Sequence, residues 1–274
     1  MAGAGRGVVR GMVVVAVFAA WAVCARAVDV NEQIRSFKNF TRDAATVGEG
    51  RFRLEVQGVK IQDEGKTRLN LIGFRIKADE ISAGALSLLG TYGLSKNSEV
   101  GFVLPGYIES RTVAGKKSTQ EDMGDVLLYG KFTQTAQDNL KWAAGLELSV
   151  PSGSKAKQFG TDEVAVNPFV SGRFTYKAFG MGAHAGYQFS SGDVPDVINW
   201  SFEMYLRGSS FYTIRHELTG RVFHQGGFRN HDLTLWPGID LHFSDDFTVR
   251  PTGMVGGTDI ALDYGIGLGL AYVF

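Results

Sequence analysis

The side chains with most chemistry to offer are charged and widely spread along the chain: Lys131, Glu147, Arg173, Glu203, Arg207, Arg215, Glu217, Arg221, Asp240 and Arg250. Arginine set among carboxylates can do two things. It can line a wetted path for a solute, or it can pair with the acids in a network that fills space and stabilises. Spacing leaves both readings open. The five histidines, His184, His216, His224, His231 and His242, are dispersed, with no HExxH and no close pair, which speaks against a metal site. They read as polar wall residues. The run from Gly265 to Phe274 has the spaced glycines of a dinucleotide loop, but it opens no helix and follows a strand pattern. No cofactor and no metal is expected, and the chain is not expected to be an enzyme.

The elements that must hold these residues show a period of two. Leu262, Tyr264, Ile266, Leu268, Leu270, Tyr272 and Phe274 alternate with Asp263, Gly265, Gly267, Gly269, Ala271 and Val273. The pattern returns over 139–150, where Leu140, Trp142, Ala144, Leu146 and Leu148 oppose Lys141, Gly145, Glu147 and Ser149. It returns again over 231–243, where Leu233, Leu235, Pro237, Ile239 and Leu241 oppose Asp232, Thr234, Trp236, Asp240 and His242. Each segment is about ten residues, the length a tilted strand needs to cross a bilayer. The second face is not a water-facing one. In Gly182-x-His184-x-Gly186-x-Gln188-x-Ser190 it is small and mixed polar rather than lysine- and glutamate-rich. Glycine is in excess overall, 36 of 274 residues, which is about 13% and roughly twice ordinary usage. Small residues suit the crowded inside of a curved sheet. The greasy face then meets lipid, and the ten charged residues and His184 point into the lumen, because a bare charge on the lipid face near the midplane costs about 2 to 4 kcal/mol.

Counting back from Phe274 places strands near 261–274, 247–256, 231–243, 211–224, 199–208, 181–190, 164–176, 139–150, 124–134, 98–110, 83–93 and 68–76. The connections alternate between short turns and generally longer loops, as in bacterial outer-membrane barrels, and an even count puts both ends of the barrel on the periplasmic side. The expected fold is therefore all-β, a transmembrane antiparallel up-and-down barrel of about twelve strands, with loops 111–123 and 151–163 at its mouth. The stretch 51–61 also alternates, Phe52, Leu54 and Val56 against Arg51, Arg53, Glu55 and Gln57. It is a periplasmic strand, a segment tucked into the lumen, or a sign that the count is displaced elsewhere.

Arg6 and Arg10 precede an apolar run from Met12 to Val23 and then Ala25-Arg26-Ala27, the order of a secretory leader with cleavage after Ala27. The expected organisation is a signal peptide over 1–27, an N-terminal periplasmic or lumenal segment over 28–67, and the barrel over 68–274 in the outer membrane. Cys24, the single cysteine, falls in the leader, so no disulfide is expected. Lys+Arg and Asp+Glu number 28 each, which removes any electrostatic case for a nucleic-acid partner. Leu268, Leu270, Tyr272 and Phe274 form the alternating, aromatic-terminated end read by the barrel-assembly machinery. Trp142, Trp200 and Trp236, with Tyr176, Tyr187, Tyr264 and Tyr272, are candidates for the interfacial aromatic girdles, and Trp236 alone of these tryptophans falls on the inward face.

The strings GDVLLYGKF (124–132), WAAGLELSVPSGS (142–154), NPFVSGRFTY (167–176) and GAHAGYQF (182–189), with YGLSKNSEVGFVLP (92–105), resemble in order and spacing the outer-membrane barrels of the meta-pathway phenol-degradation or "transporter" family. The resemblance covers about 92–190 and consists of turn and strand punctuation. It implies uptake of small, often aromatic or hydrophobic compounds, and no binding residue carries over with it. The function expected is an outer-membrane channel for small solutes, whose partners are the bilayer, the assembly machinery and the solute. The alternatives are a closed barrel serving as a surface-binding or antigenic structure and, less favoured, a barrel hydrolase using His184 or His242.

Overall fold

The computed structural model describes residues 44–63, 68–69, 75–76, 80–113, 116–154, 159–191, 195–225, 228–258 and 263–274. The leader and residues 28–43 lie outside them. All regular structure among the described residues is strand: β1 (Phe52–Asp63), β2 (Arg68–Leu69), β3 (Arg75–Ile76), β4 (Glu80–Ser95) and β5 (Ser98–Val113). There follow β6 (Lys116–Met123), β7 (Val126–Gln137), β8 (Leu140–Val150), β9 (Ala165–Tyr176) and β10 (Phe179–Ser190). The chain ends with β11 (Asp196–Arg207), β12 (Tyr212–Gln225), β13 (Phe228–His242), β14 (Phe247–Gly256) and β15 (Tyr264–Val273).

Consecutive strands pair antiparallel from β7 to β15, β5 bridges β4 and β7, and β1 lies between β4 and β15. The sheet thereby closes on itself as a barrel of twelve strands, which leaves no edge with unpaired backbone to face lipid. The first barrel strand is β1, not the expected 68–76, of which the described residues form the two-residue pairing of β2 with β3. The barrel therefore starts at Phe52 rather than at residue 68. The reason is closure: the C-terminal strand needs a partner, and Leu54 and Val56 meet Tyr272 and Leu270 in register. The two ends of the barrel lie together, Phe274 N–H donating to the Phe52 carbonyl at 2.7 Å, at the end where the short turns lie.

Burial is inverted relative to a globular sheet. Leu86, Leu146, Val170, Leu235, Ile266 and Leu268 lie outside, Ile266 70% exposed, while Glu55, Glu99, Lys131, Arg215 and Asp240 are buried within. The outward band is closed at the short-turn end by a chain of rings, Phe52, Phe274, Tyr272, Phe247, Phe243 and Phe211, with successive centroids 4.7 to 6.4 Å apart. Such a belt sits at a membrane–water interface.

The glycine excess has a structural cause. Gly101, Gly145 and Gly180 stand directly opposite Tyr129, Phe169 and Tyr205 on the inner face, and each ring lies over the bare backbone of its partner. At Gly145 a Cβ would overlap the Phe169 ring. The ring covers the ladder where the glycine leaves it open, which pins register and permits curvature.

At the long-loop end, 111–123 is not a loop. Residues 106–113 of β5 pair with β6, and the Ser110 and Thr119 hydroxyls meet at 2.8 Å. β6 continues into β7 after Gly124-Asp125, so this hairpin overhangs the barrel. Residues 117–121 are exposed, and a strand with water on both faces lacks the apolar alternation that marks the spanning ones. The connection expected over 225–230 is likewise drawn into the sheet at both ends, Gln225 pairing with Phe228.

Candidate functional site: the barrel lumen

Strand alternation delivers all eleven of the expected residues to the inner face, but the structure divides them among three places. The largest set surrounds a cavity of about 710 Å³ at the short-turn end, lined among others by Arg173, Glu203, Tyr205, Arg207, Thr213, Arg215, Asp240, His242 and Arg250. Gly182 leaves its wall bare on β10.

Its charges run as a chain around the barrel. Glu55 on β1 accepts from Arg250 Nη1 at 3.3 Å, and Arg250 grips Asp240 on β13 with two hydrogen bonds, Nε at 2.6 Å and Nη2 at 3.1 Å. Arg215 on β12 then stands 3.9 Å from Asp240, 3.7 Å from Glu203 and 3.6 Å from Glu217, and its Nε makes no hydrogen bond. The Arg250–Asp240 fork is a rigid, charge-assisted pair. Arg215 is instead a shared cation, held by three carboxylates without contacting any closely. Arg173 donates from Nε to the Tyr205 hydroxyl at 2.8 Å, with its guanidinium 5.1 Å from that ring's centroid. Arg207, at the rim, donates to the Ser209 carbonyl at 3.3 Å.

Lys131 and Glu147 belong to the opposite wall. Lys131 pairs with Glu99 at 3.0 Å and donates to the Ala45 carbonyl at 2.6 Å, while Glu99 accepts from Val47 N–H at 3.0 Å. Residues 44–47 therefore lie against the inner faces of β5 and β7, with Ala44 fully buried. Of the described residues before β1, these four line the lumen, whereas residues 49–51 are exposed. Glu147 is buried beside this pair on β8, opposite Tyr129 and Asn167.

The third group lies farther along the lumen. Arg221 pairs with Asp232, and Asp232 also accepts from Thr234 Oγ1 at 3.2 Å. His184 bridges Ser171, 3.2 Å from Nδ1, and Asn199, 3.3 Å from Nε2, and Asn199 donates to Asn167 at 3.3 Å. Serine, histidine and asparagine in a row have the order of a hydrolytic triad. The backbone around them, however, is engaged in the β9–β10–β11 ladders, and Ser171 is 5% exposed. His242 is held between Thr213 and Thr248 hydroxyls at 3.0 and 3.1 Å. Among the described residues, no group of three or more His, Cys, Asp or Glu is arranged to hold a metal.

Facing this polar wall across the outer half of the lumen is an apolar one, the buried cluster of Val59, Ile61, Ala83, Ala85, Tyr107, Trp236 and Met254, joined by Phe159 from the 151–163 loop. The bare backbone of Gly265 and Gly267 on β15 lets the strands either side approach: a Cβ at Gly267 would stand 3.0 Å from Val59. Trp236 is inward, as its alternation requires, and donates to Thr219 Oγ1 at 3.2 Å. The lumen is thus charged at the short-turn end and amphipathic beyond it. Glu55, Glu99 and Asp232 were legible as inward residues from the same alternation that marked the others. Phe159 was not, because a loop residue carries no period.

No family model matches the chain, and no curated protein matches it. Its likeness is to solved outer-membrane barrels. An outer-membrane channel from Pseudomonas putida F1 superposes with a TM-score of 0.70 at 12% identity, covering 86% of this chain and all of that one. The NanC porin gives 0.55 at 12% identity over 80% of this chain and 98% of that one. The KdgM porin gives 0.52 at 12% identity over 81% and 99%. These likenesses establish the fold, a closed antiparallel β-barrel like those of solved outer-membrane channels.

Proposed function

We propose that this protein is a channel that admits a small solute to the periplasm through the barrel lumen. The observation that carries the reading is the 710 Å³ cavity walled by paired charges at the short-turn end, with a lumen beyond it that is apolar on one side and polar on the other. Such a lining suits a solute with an apolar body and a polar edge. The resemblance of residues 92–190 to the phenol-degradation barrels supports small aromatic or hydrophobic compounds as that class. The lumenal residues on which the path depends are Arg173, Glu203, Arg207, Arg215, Asp240 and Arg250 around the cavity, with Lys131, Glu147, His184, Glu217 and Arg221 along the walls. Purified protein in planar bilayers and proteoliposomes is expected to conduct salt and to admit small neutral sugars. Absence of both from correctly folded protein would refute the reading.

A second reading is favoured by one observation, the burial of residues 44–47 in the lumen against Glu99 and Lys131. On that reading the barrel is closed and its overhanging hairpins bind a partner, and the same recordings would be silent.

Insertion rests on the last strand. Leu268, Leu270, Tyr272 and Phe274 face outward, and Phe274 both bonds to Phe52 and joins the ring belt. We infer that the assembly machinery reads this face as its signal. Deleting Phe274 is expected to lower the yield of heat-modifiable barrel in outer membranes markedly, and normal assembly would contradict it. Export follows cleavage after Ala27 on this reading, so the N-terminal residue of the membrane-extracted protein is expected to be Val28.

A further inference from the structure

Two stretches that act only as punctuation in the sequence, Gly124-Asp125 and Ser152-Gly153, meet in the structure. Asp125, 2% exposed, accepts four hydrogen bonds. Ser152 N and Gly153 N reach one carboxylate oxygen at 3.2 and 3.0 Å. Thr161 N and Oγ1 reach the other at 2.9 and 2.8 Å. A single buried carboxylate therefore ties the start and the end of one loop together. Ser152 Oγ adds a bond to the Gly124 carbonyl at 3.1 Å and accepts from Val126 N–H at 2.9 Å. Gly153 and Gly160 touch so closely that a Cβ on either would overlap the other's backbone. Phe159 N–H and Gly160 N–H both donate to the Ser154 carbonyl, at 3.0 and 3.3 Å.

This fixed geometry delivers one ring. Phe159 is 2% exposed and lies parallel to Tyr107, centroids 5.8 Å apart and planes 8° apart. Loops at a barrel end are ordinarily solvated, whereas this ring has entered the lumen. The inner wall next to Tyr107 is built from Ala83 and Ala85, Ala85 directly opposite Tyr107 across the ladder. Phe159 thus occupies lumenal space that the small side chains of Ala83 and Ala85 leave open.

We infer that Phe159 sets the size limit of the outer half of the lumen and that Asp125 is the positioning residue that holds it there. The inference rests on the channel reading and adds to it the residue that decides which solutes pass. A ring locked by charge-assisted hydrogen bonds to a buried acid acts as a fixed constriction rather than a passing obstruction. Removing the ring and releasing its tether should have the same effect on selectivity.

Proteoliposome swelling with a monosaccharide, a disaccharide and a trisaccharide tests this, because the ratio of the large to the small sugar's influx reports pore size independently of how much barrel is inserted. Phe159→Ala is expected to raise that ratio several-fold, Asp125→Asn to raise it similarly, and Phe159→Trp to lower it. Heat-modifiability in detergent gels establishes folding for each variant, and if Asp125→Asn fails to fold, the two Phe159 variants decide the matter. A ratio unchanged in both Phe159 variants, with the wild type permeable, overturns the inference and leaves the channel intact. No influx in any variant, Phe159→Ala included, overturns the channel reading and this inference with it.

Discussion

Arg215→Ala is expected to lower the stability of the barrel by about 3 kcal/mol, the lower end of the cost of breaking a buried charge pair from one side. Arg215 is 6% exposed and is the cation shared by Glu203, Glu217 and Asp240. Glu217, opposite Glu203 across the ladder, is 1% exposed, so removing the arginine leaves two neighbouring acids in a confined space without it. Like charges directly across a ladder are destabilising. The lower figure is the appropriate one because the cavity alongside admits water. Urea titration of the protein refolded into liposomes measures the effect as a shift in midpoint at unchanged slope. Arg215→Ala combined with Glu217→Gln is expected to recover part of the loss, since the second change removes one of the two negative charges that face each other across the ladder. An Arg215→Ala midpoint equal to wild type would show that the chain from Glu55 to Glu203 contributes little to stability.

Leu146→Arg is expected to cost about 2 to 4 kcal/mol in the same assay, the penalty for a cation on the lipid face near the midplane. Leu146 lies in the middle of β8 and is 50% exposed on the outer face. Gly182→Arg serves as the contrast. Gly182 lines the cavity, and a Cβ there would stand an ordinary 3.5 Å from Glu203 Oε2, so the new cation meets both space and a carboxylate. Its cost is expected to be well below that of Leu146→Arg. Equal costs at the two positions would mean that the outer face is not in lipid, and the inside-out reading of every strand would fail with it.

Much of the lumen was legible in the order of the residues, because it depended only on alternation. Once lipid is assigned to the apolar face, Lys131, Glu147, Arg215, Glu217, Arg221 and Asp240 have to be inward, and all six are buried. The short turns were legible for the same reason, since a turn is a local interruption of the period. The hairpin of β5 with β6 was not. Its residues 117–121 are wet on both sides, so nothing in their order separates a strand from a loop. β1 carried the right pattern but no sign of its neighbours, which come from residues 264–273 and 80–95.

What the sequence by itself determined is which side of each strand faces oil, because successive side chains point to opposite faces of a strand and the bilayer penalises charge at one of them. What only the tertiary structure decided is who meets whom across the lumen. Glu55 and Arg250 stand 195 residues apart in the chain and become partners because β1 closes the ring against β15, with β14 next to it. Phe159 reaches Tyr107 because Asp125 fastens a loop that has no period of its own. Alternation is set residue by residue, whereas register across a closed barrel is set only when the last strand finds the first.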